Sequence, residues 1–362
     1  MATKTTTAKT PTAPRKTAAK PSAPARRGAT KTLVTGGTGF LGAHLLRLLT
    51  EKDAQAVRVL TTSAPPWLQE MGVEIVEGSI TDAATLERAV AGVKDIYHLA
   101  GKVSRDGEDA RAMHAIHVTG TRLLCEAARA ADTQTIVMAS TSGTIAVTAD
   151  GLETPDEDSP TPLDIISRWP YYASKFYQER AALENFDGPN RRLVMLNPSL
   201  LLGPGDERLS SAKVVLDFLS RKIKTVPKGG LSFVDARDAA PAFIAAMQRG
   251  KHGERYLLGA ANWTFSEFFG RLERVSGVAA PTLALPKTLA VAGARWLSNI
   301  YKQWDYAPPV EPGEVEMSEH FWYLDAHKAA TQLGFTAREP SETLLDTVKY
   351  VRRHFLGHGA FS

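Results

Sequence analysis

The chain has a single cysteine and no long apolar run. The first fact excludes disulfide-stabilised folds, and the second argues against a membrane-spanning helix. Cys125 is the one cysteine among 362 residues, so an internal disulfide and a multi-cysteine metal cluster are excluded. No stretch approaches the roughly 18 apolar residues of a membrane-spanning helix, and the N-terminus lacks the apolar core of a secretory signal. The nine histidines show no metal-ligand spacing with cysteine or glutamate. We therefore expect a cytoplasmic protein without a metal site.

Acidic residues are missing from the first 30 positions, which carry seven basic side chains, namely Lys4, Lys9, Arg15, Lys16, Lys20, Arg26 and Arg27. The other positions hold 36 basic and 39 acidic residues, so the folded part is slightly acidic. Residues 1–30 are rich in Thr, Ala, Lys and Pro without apolar periodicity, which predicts a disordered basic tail. A solvated extension is the favoured interpretation. Contact with nucleic acid or an acidic partner, and an organelle transit peptide, stay open.

Hydrophobic residues make up 43% of the chain, which is enough for a sizeable core. Short β-rich runs alternate with helical stretches from position 31, and this favours an α/β fold with a Rossmann-type doubly wound parallel sheet. The predicted strands are 32–35, 57–61, 73–78, 95–100, 135–140 and 192–197, and the predicted helices are 40–50, 81–90, 110–130 and a segment from Tyr171. We assign 31–200 to the cofactor domain, with 232–260 returning to it. A smaller C-terminal substrate-binding lobe then comprises 201–231 and 261–362.

A glycine-rich loop joins the first predicted strand to the first helix. Gly36 permits a tight turn, Gly39 lets the backbone approach a pyrophosphate, and Gly42 lets the helix pack on the strand. The helix N-terminus then directs free N–H groups at the phosphates. The loop predicts a dinucleotide site whose residues are Gly36, Thr38, Gly39, Phe40, Leu41 and Gly42.

The residues at the end of the second strand do not decide whether the cofactor is NAD or NADP. An acidic residue there would bind the 2′-hydroxyl of NAD, and a basic one would bind the 2′-phosphate of NADP. This chain has neither, because Thr61, Thr62 and Ser63 follow Leu60. Hydroxyl groups can serve either cofactor.

Tyr171 and Lys175 are four residues apart at the start of a predicted helix, so both point the same way. A phenol has a pKa near 10 and transfers protons at neutral pH only when a nearby cation favours its phenolate. Lys175 is placed to supply that cation. Ser140, Thr141 and Ser142 follow the fifth strand at the sheet edge where ligands bind, and a hydroxyl there can polarise a substrate carbonyl.

From Lys31 to Phe355 the chain resembles the extended short-chain dehydrogenases/reductases, and within them the dihydroflavonol-4-reductase-like branch that includes hopanoid-associated sugar epimerase-type proteins. The resemblance rests on TGGTGFLG at 35–42, YHLAG at 97–101, GT at 120–121, PYYASKFYQE at 170–179, NPSLLLGPGD at 197–206, FVDARDAA at 233–240 and GERYLLG at 253–259. These motifs are specific to the superfamily but not to a substrate.

The resemblance implies a role for each matching residue. Tyr171 is the acid/base, Lys175 is its partner and also binds the nicotinamide ribose, and Thr141 polarises the carbonyl, with Ser142 as the alternative. The nicotinamide amide is expected near Asn197, Pro198 and Ser199, and the adenosine side near Ala100 and Gly101.

Three positions depart from the family pattern. Ser79 and Ile80 stand where an Asp followed by Leu or Ile contacts the adenine, so that contact is expected to be weaker. His117 replaces an Asn, and either joins a proton relay behind Lys175 or is a packed or surface residue, which we favour. Thr62 stands where relatives often have Arg, which weakens the case for NADP.

We therefore expect an NAD(P)-dependent oxidoreductase acting on a secondary alcohol or ketone of a small metabolite. An NAD-dependent nucleotide-sugar epimerase or dehydratase is the alternative, because it uses the same catalytic groups. A cofactor-binding regulator without catalysis is a third hypothesis. Leu289, Trp296, Ile300 and Trp304 share one face of a predicted helix. A core or homodimer contact is the commoner explanation of that face, and membrane-surface docking is the alternative.

Overall fold

The computed structural model describes residues 1–3, 31–104, 106–304 and 311–357. Apart from its first three residues, the predicted basic tail lies outside the described residues, and its predicted disorder and contacts stay predictions. Within the described ranges no helix is both long and apolar enough to cross a membrane.

The first sheet has seven parallel strands in the order β3-β2-β1-β4-β5-β6-β9. Their bounds are β1 Lys31–Thr35, β2 Val57–Thr61, β3 Glu74–Glu77, β4 Val93–His98, β5 Thr135–Ala139, β6 Arg192–Pro198 and β9 Arg255–Leu258. Each of the six strands predicted from the sequence overlaps one of these. The order reverses between β1 and β4, and ligands of doubly wound sheets bind at such a switch point. The predicted Rossmann-type α/β fold is confirmed.

Helices cover both faces of this sheet. They are α1 Phe40–Asp53, α2 Pro66–Glu70, α3 Ala83–Val90, α4 Ala110–His114, α5 Gly120–Ala130, α6 Leu163–Ile166, α7 Pro170–Asn185 and α9 Ala236–Arg249. A π-helical turn, Ala115–Thr119, joins α4 to α5, so the long helix predicted over 110–130 is continuous but locally widened. Adjacent residues of β1 serve opposite faces, because Val34 packs with α1 and α9 whereas Leu33 packs with α3 and α5. Cys125 lies fully buried in this second core.

A second sheet is built around β8, Gly230–Asp235. It pairs in parallel with β7, Leu200–Leu202, and β11, Phe321–Trp322, and antiparallel with β10, Ala261–Thr264. The helices α8 Lys213–Leu219, α10 Phe265–Ser276 and α13 Pro340–Val351 pack against one another in this region. Beyond β8, α9 and β9 pack with the first sheet, and so do residues 329–335. The predicted division into two domains stays a prediction.

Two further helices extend the C-terminal region. They are α11, Lys287–Gln303, and α12, Pro312–Ser318, and they pack against each other. Among the described side chains of α11, Ala294 and Ser298 are buried and Ile300 is half-buried, whereas Leu289 is 62% exposed and Trp296 is 64% exposed. Of the two contacts predicted for this stripe, packing of Leu289 and Trp296 in the core is wrong, and a homodimer contact stays a prediction. Small residues fill the buried side, and these two large apolar residues face outward.

Candidate active site

The glycine-rich loop leaves no room for side chains at two of the three glycines that the sequence singled out. Gly36 has a φ of +73°, and a Cβ there would lie 2.5 Å from the carbonyl of Leu99. A Cβ on Gly42 would lie 2.2 Å from the carbonyl oxygen of Gly36. Gly39 is the N-cap of α1 and makes no side-chain capping hydrogen bond, so the chain itself does not cap this helix end. This tight turn with a helix N-terminus behind it fits the pyrophosphate of a dinucleotide.

The other predicted cofactor residues follow neighbouring strands of the first sheet. Thr62 is exposed directly after β2, and Ser79 follows β3, where its hydroxyl lies 2.8 Å from that of Thr81. Ala100 follows β4, and its N–H donates to the Thr35 hydroxyl at 3.2 Å. Ile80 is buried and packs against Gly120, so its side chain supports the neighbouring helix. Because the strands are parallel, these carboxyl ends line one edge of the sheet.

The structure places the predicted catalytic side chains together. Tyr171 lies in the first turn of α7, which begins at Pro170, one residue before the predicted start, and its hydroxyl hydrogen-bonds to Thr141. Thr141 begins the turn that follows β5. Burial and the neighbouring Tyr172 raise the pKa of Tyr171 above its ordinary value, and the bond to Thr141 opposes this. Of the two candidate hydroxyls, Thr141 is therefore the one bonded to the phenol.

Lys175 lies one helical turn beyond Tyr171 and is buried. Its Nζ donates to the carbonyl oxygen of Ala139 at 2.7 Å and to Oε1 of Gln178 at 2.5 Å. Burial lowers the pKa of Lys175 to about 8, although the charge of Glu179 raises it. An amine with this pKa is mostly protonated at neutral pH, so Lys175 places a positive charge one helical turn beyond Tyr171, where in this structure it is bonded to Ala139 and Gln178.

Sequence reasoning missed Glu179, which is 2% exposed. Its Oε1 accepts hydrogen bonds from Ser140, from Thr144 at 3.0 Å and from Nδ2 of Asn197 at 2.8 Å. Its Oε2 lies 3.4 Å from Nε of Arg255. This carboxylate thus ties the turn after β5 to β6 and β9. The signal was available, because Glu179 follows Tyr171 and Lys175 at a second interval of four residues.

His117 joins the loop after β4 to the catalytic helix. Its Nε2 accepts the N–H of Lys102 at 3.0 Å, so Nδ1 carries the proton and donates to the Ser174 hydroxyl at 2.8 Å. That hydroxyl in turn donates to the carbonyl of Tyr171 at 2.7 Å. Burial, and secondarily the charge of Lys175, lower the pKa of His117 to about 2. His117 is packed in the interior, as favoured, and its contacts hold the loop after β4 against α7.

His98 and Gln178 form a second polar group beneath Lys175. Nδ1 of His98 lies 2.8 Å from the Thr35 hydroxyl, and its Nε2 lies 2.8 Å from the Thr121 hydroxyl. Gln178 donates to Thr121 at 3.0 Å and accepts from Lys175. Burial lowers the pKa of His98 to about 3, with the charge of Lys175 acting in the same direction. His98 and Gln178 therefore connect β1 to Lys175 through hydrogen bonds, and both side chains are neutral.

At the end of β6, two polar atoms keep unused hydrogen-bonding capacity. Asn197 is buried and donates to the carbonyl of Thr141 at 3.0 Å, while its own Oδ1 has no partner among the described residues. The Ser199 hydroxyl is likewise buried and unpaired in the part of the chain that the structure describes. Pro198 lies between them as the last residue of β6. Unpaired buried groups at this edge fit a ligand with a polar amide.

An aromatic cluster packs beside Tyr171. The rings of Tyr172 and Trp322 stack with centroids 4.6 Å apart, and Trp169 lies 5.6 Å from Trp322. The ring of Tyr171 contacts that of Tyr172 at 5.1 Å. Gly143 in the turn after β5 makes room for this packing, because a Cβ there would lie 2.3 Å from Tyr172. The second lobe thus contributes Trp322 to an apolar wall next to the phenol.

The fold and these contacts are those expected of a dinucleotide-dependent enzyme. The profile of the NAD dependent epimerase/dehydratase family matches residues 32–259. The chain belongs to this family, and the predicted class of NAD(P)-dependent oxidoreductase or epimerase is confirmed. Among the described residues no group of three or more His, Cys, Asp or Glu side chains could hold a metal ion.

Two curated proteins are similar over most of the chain. A Synechocystis protein named "Putative dihydroflavonol 4-reductase" is 31% identical over 328 residues, which cover 89% of this chain and 94% of that protein. Sterol demethylase protein B of Methylococcus capsulatus is 32% identical over 269 residues, covering 71% and 78% respectively. The predicted resemblance to dihydroflavonol-4-reductase-like proteins is confirmed.

Among solved structures, a nucleoside-diphosphate-sugar epimerase from Pseudomonas aeruginosa has the same fold. Its TM-score is 0.72 at 22% identity, and the alignment covers 91% of this chain and 99% of that one. At this identity the likeness supports the fold alone.

Proposed function

We propose that the chain transfers a hydride between a nicotinamide cofactor and a secondary alcohol or ketone of a flat, apolar metabolite. One observation carries the proposal: the phenol of Tyr171 bonds to Thr141, lies one helical turn before the buried Lys175 and stands beside an aromatic wall. This arrangement supplies a proton donor, a carbonyl-polarising hydroxyl and a cation in one place.

Each group has a distinct part in carbonyl reduction. The raised pKa keeps Tyr171 protonated at neutral pH, which is the form that gives a proton to a carbonyl oxygen. The Thr141 hydroxyl donates a hydrogen bond to the same oxygen as negative charge develops. The Lys175 ammonium then stabilises the phenolate left on Tyr171. In alcohol oxidation the proton moves the other way between the same atoms.

The nicotinamide cofactor supplies or accepts the hydride when it is bound. The residues we propose to hold it are Gly36, Thr38, Gly39, Phe40, Leu41, Gly42, Thr62, Ser79, Ile80, Ala100, Gly101, Lys175, Asn197, Pro198 and Ser199. Thr62 offers a hydroxyl that can bond to the ribose of NAD or of NADP, so both cofactors belong in the assay.

We infer the substrate class from the aromatic wall beside Tyr171 and from the names of the two curated relatives. Stacked Trp and Tyr rings favour a flat apolar skeleton over a charged diphosphate. The names of the two curated relatives refer to a dihydroflavonol and a sterol, both of which are polycyclic. In the C-terminal lobe, Arg271 stacks over Trp263 at 4.2 Å and is engaged there. A homodimer, a partner for the basic tail and a cytoplasmic location stay predictions.

The test begins with the purified protein. We expect it to release little nucleotide on denaturation, and then to oxidise NADH or NADPH in the presence of a member of a panel of polycyclic ketones. Tyr171→Phe should lower kcat/KM by about 10²- to 10⁴-fold, as expected when a general acid is removed. Tyr177→Phe is the matched control, because Tyr177 lies exposed on the same helix.

Three results would contradict the proposal. Near-stoichiometric tightly held NAD with turnover of nucleotide sugars, but not of ketones, would establish the epimerase instead. A protein that binds either cofactor but turns over neither class of substrate would favour the regulator. Full activity of Tyr171→Phe on a true substrate would remove Tyr171 from the mechanism.

A further inference from the structure

The outer side of α11 exposes large apolar side chains. Leu289, Trp296 and Trp304 are 62%, 64% and 72% exposed, and they recur at intervals of seven and eight residues, so they share one side of the helix. The buried Ala294 and Ser298 lie on the opposite side. A helix that only stabilised the fold would bury its large residues, so this arrangement indicates a surface that binds something.

The apolar surface continues beyond the helix. Leu283 and Leu285, in the segment that leads into α11, are 55% and 40% exposed. We call the whole set the α11 face; it comprises Leu283, Leu285, Leu289, Trp296, Leu297, Tyr301 and Trp304. Two Trp and one Tyr among seven residues match the side chains enriched at the interface between lipid and water.

Basic residues are frequent in the sequence of this region. Residues 283–304 include three of them and no acidic one, and Asp305 follows Trp304 directly. The segment 221–228 adds Arg221, Lys222, Lys224 and Lys228, all exposed, again without an acidic residue. This segment is joined to the base of the face, because Thr225 forms a β-bridge with Leu283 and the N–H of Val226 donates to the Leu283 carbonyl at 2.9 Å.

We propose that the α11 face docks the protein on the surface of an anionic lipid bilayer. Its apolar side chains would enter the interface, and the neighbouring lysines and arginines would contact lipid phosphates. A second copy of the chain is a poorer occupant. A twofold interface sets each patch against itself, so the basic residues of both copies would repel one another.

The docked surface lies close to the aromatic wall of the active site. α12 packs against α11, and Glu316 of α12 forms an ion pair with Arg168 at 3.0 Å. A Cβ on Gly313, at the start of α12, would lie 3.9 Å from Trp169. α11 and the short helix α12 thus connect the bilayer surface to residues next to Tyr171, which places the active site near a source of apolar metabolites. The docking itself rests on the surface alone and holds whatever the reaction is.

Co-sedimentation of the full chain with vesicles tests the proposal. We expect binding to vesicles of phosphatidylcholine with phosphatidylglycerol, and much weaker binding to phosphatidylcholine alone. Trp296→Ser combined with Trp304→Ser should lower the partition coefficient by about tenfold or more, because binding scales with the apolar area buried. Tyr177→Ser, an exposed aromatic on α7, should leave it unchanged. Lys224→Glu combined with Lys228→Glu should weaken binding to the anionic vesicles only.

The basic tail is the same in all these proteins, so a difference between them reports on the α11 face. Binding of the double Trp variant at the wild-type level would overturn the proposal, as would wild-type protein that stays in the supernatant with both vesicle types. A dimer in solution that the double Trp variant converts to monomer, without vesicle binding by either, would assign the face to self-association and also overturn it. None of these readouts depends on turnover, so failure of the proposed reaction would be seen separately.

Discussion

Two helices of this protein reverse the usual distribution of polar and apolar residues. α7 buries Ser174, Lys175, Gln178 and Glu179, whereas α11 exposes Leu289, Trp296 and Trp304. Buried charges need partners, and exposed apolar surface loses the stabilisation of burial. The reversal in α7 is compensated inside the protein, because each polar side chain is bonded there. The reversal in α11 has no such compensation among the described residues.

This difference separates two ways in which function departs from the rules of folding. A catalytic helix must hold charge in a low-dielectric interior, so the fold surrounds it with donors and acceptors. A docking helix buries its apolar side chains only when it binds a partner outside the molecule, so they stay exposed in the free protein. Substitutions on α7 should therefore change stability strongly. Substitutions on the outer side of α11 should hardly do so.

Removing Glu179 should have the largest effect on stability. Glu179→Ala leaves Ser140, Thr144 and Asn197 without their shared acceptor and Arg255 without its anion. We expect the free energy of unfolding to fall by about 3 to 5 kcal/mol, as when one partner of a buried ion pair is removed. Denaturant titration measures it, with Glu184→Ala as the exposed control on the same helix. Equal small losses in the two variants would mean that the polar layer of α7 is not a stabilising unit.

The two buried histidines should make stability fall in acid. The pKa values of His98 and His117 are lowered from 6.5 to about 3 and about 2, so below pH 6.5 the unfolded chain binds more protons than the folded one. Stability is therefore full above the unfolded pKa and is lost as the pH falls toward the folded values, with a slope approaching about 1.4 kcal/mol per pH unit for each histidine.

Urea titrations across this pH range check the slope in matched variants. His117→Asn should remove about half of the combined histidine contribution, because one of two groups is lost. His114→Asn is the control, since His114 is exposed one turn earlier on the neighbouring helix. A slope that responds equally to both substitutions would contradict the assignment of His117 as a buried neutral group.

Ala294 tests the packed side of α11. It is 6% exposed, and Ala294→Leu should lower the free energy of unfolding by about 1 to 3 kcal/mol through overpacking. The same change at Ala292, which is exposed, should cost within about 0.5 kcal/mol. Thermal unfolding of both variants measures the difference. If Ala292→Leu were the more costly, the orientation of the helix would be reversed.

The sequence predicted much of the first sheet and little of what surrounds α7 and α11. Strand runs and the glycine loop carry local signals, because parallel strands and tight turns restrict residue types directly. The spacing of four residues places Glu179 on the same side of the helix as Tyr171 and Lys175, but its bonds join segments that are far apart in the chain, so no local pattern identifies its partners. For α11, periodicity showed that Leu289, Trp296 and Trp304 share a face, but a stripe has the same spacing whether it faces the core or a partner. Only the small residues at 294 and 298 hinted at the side that is buried.

Trp296 should show the smallest effect on stability and so gives the sharpest test of the comparison. It is 64% exposed, so Trp296→Ser should change the free energy of unfolding by no more than about 0.5 kcal/mol. Denaturant titration without vesicles measures this. A loss well above that range would mean that the indole packs on the protein and contributes to its core, and the contrast between the two helices would fail. An unchanged stability together with lost vesicle binding would separate the two roles, because the residue would then matter for docking and not for folding.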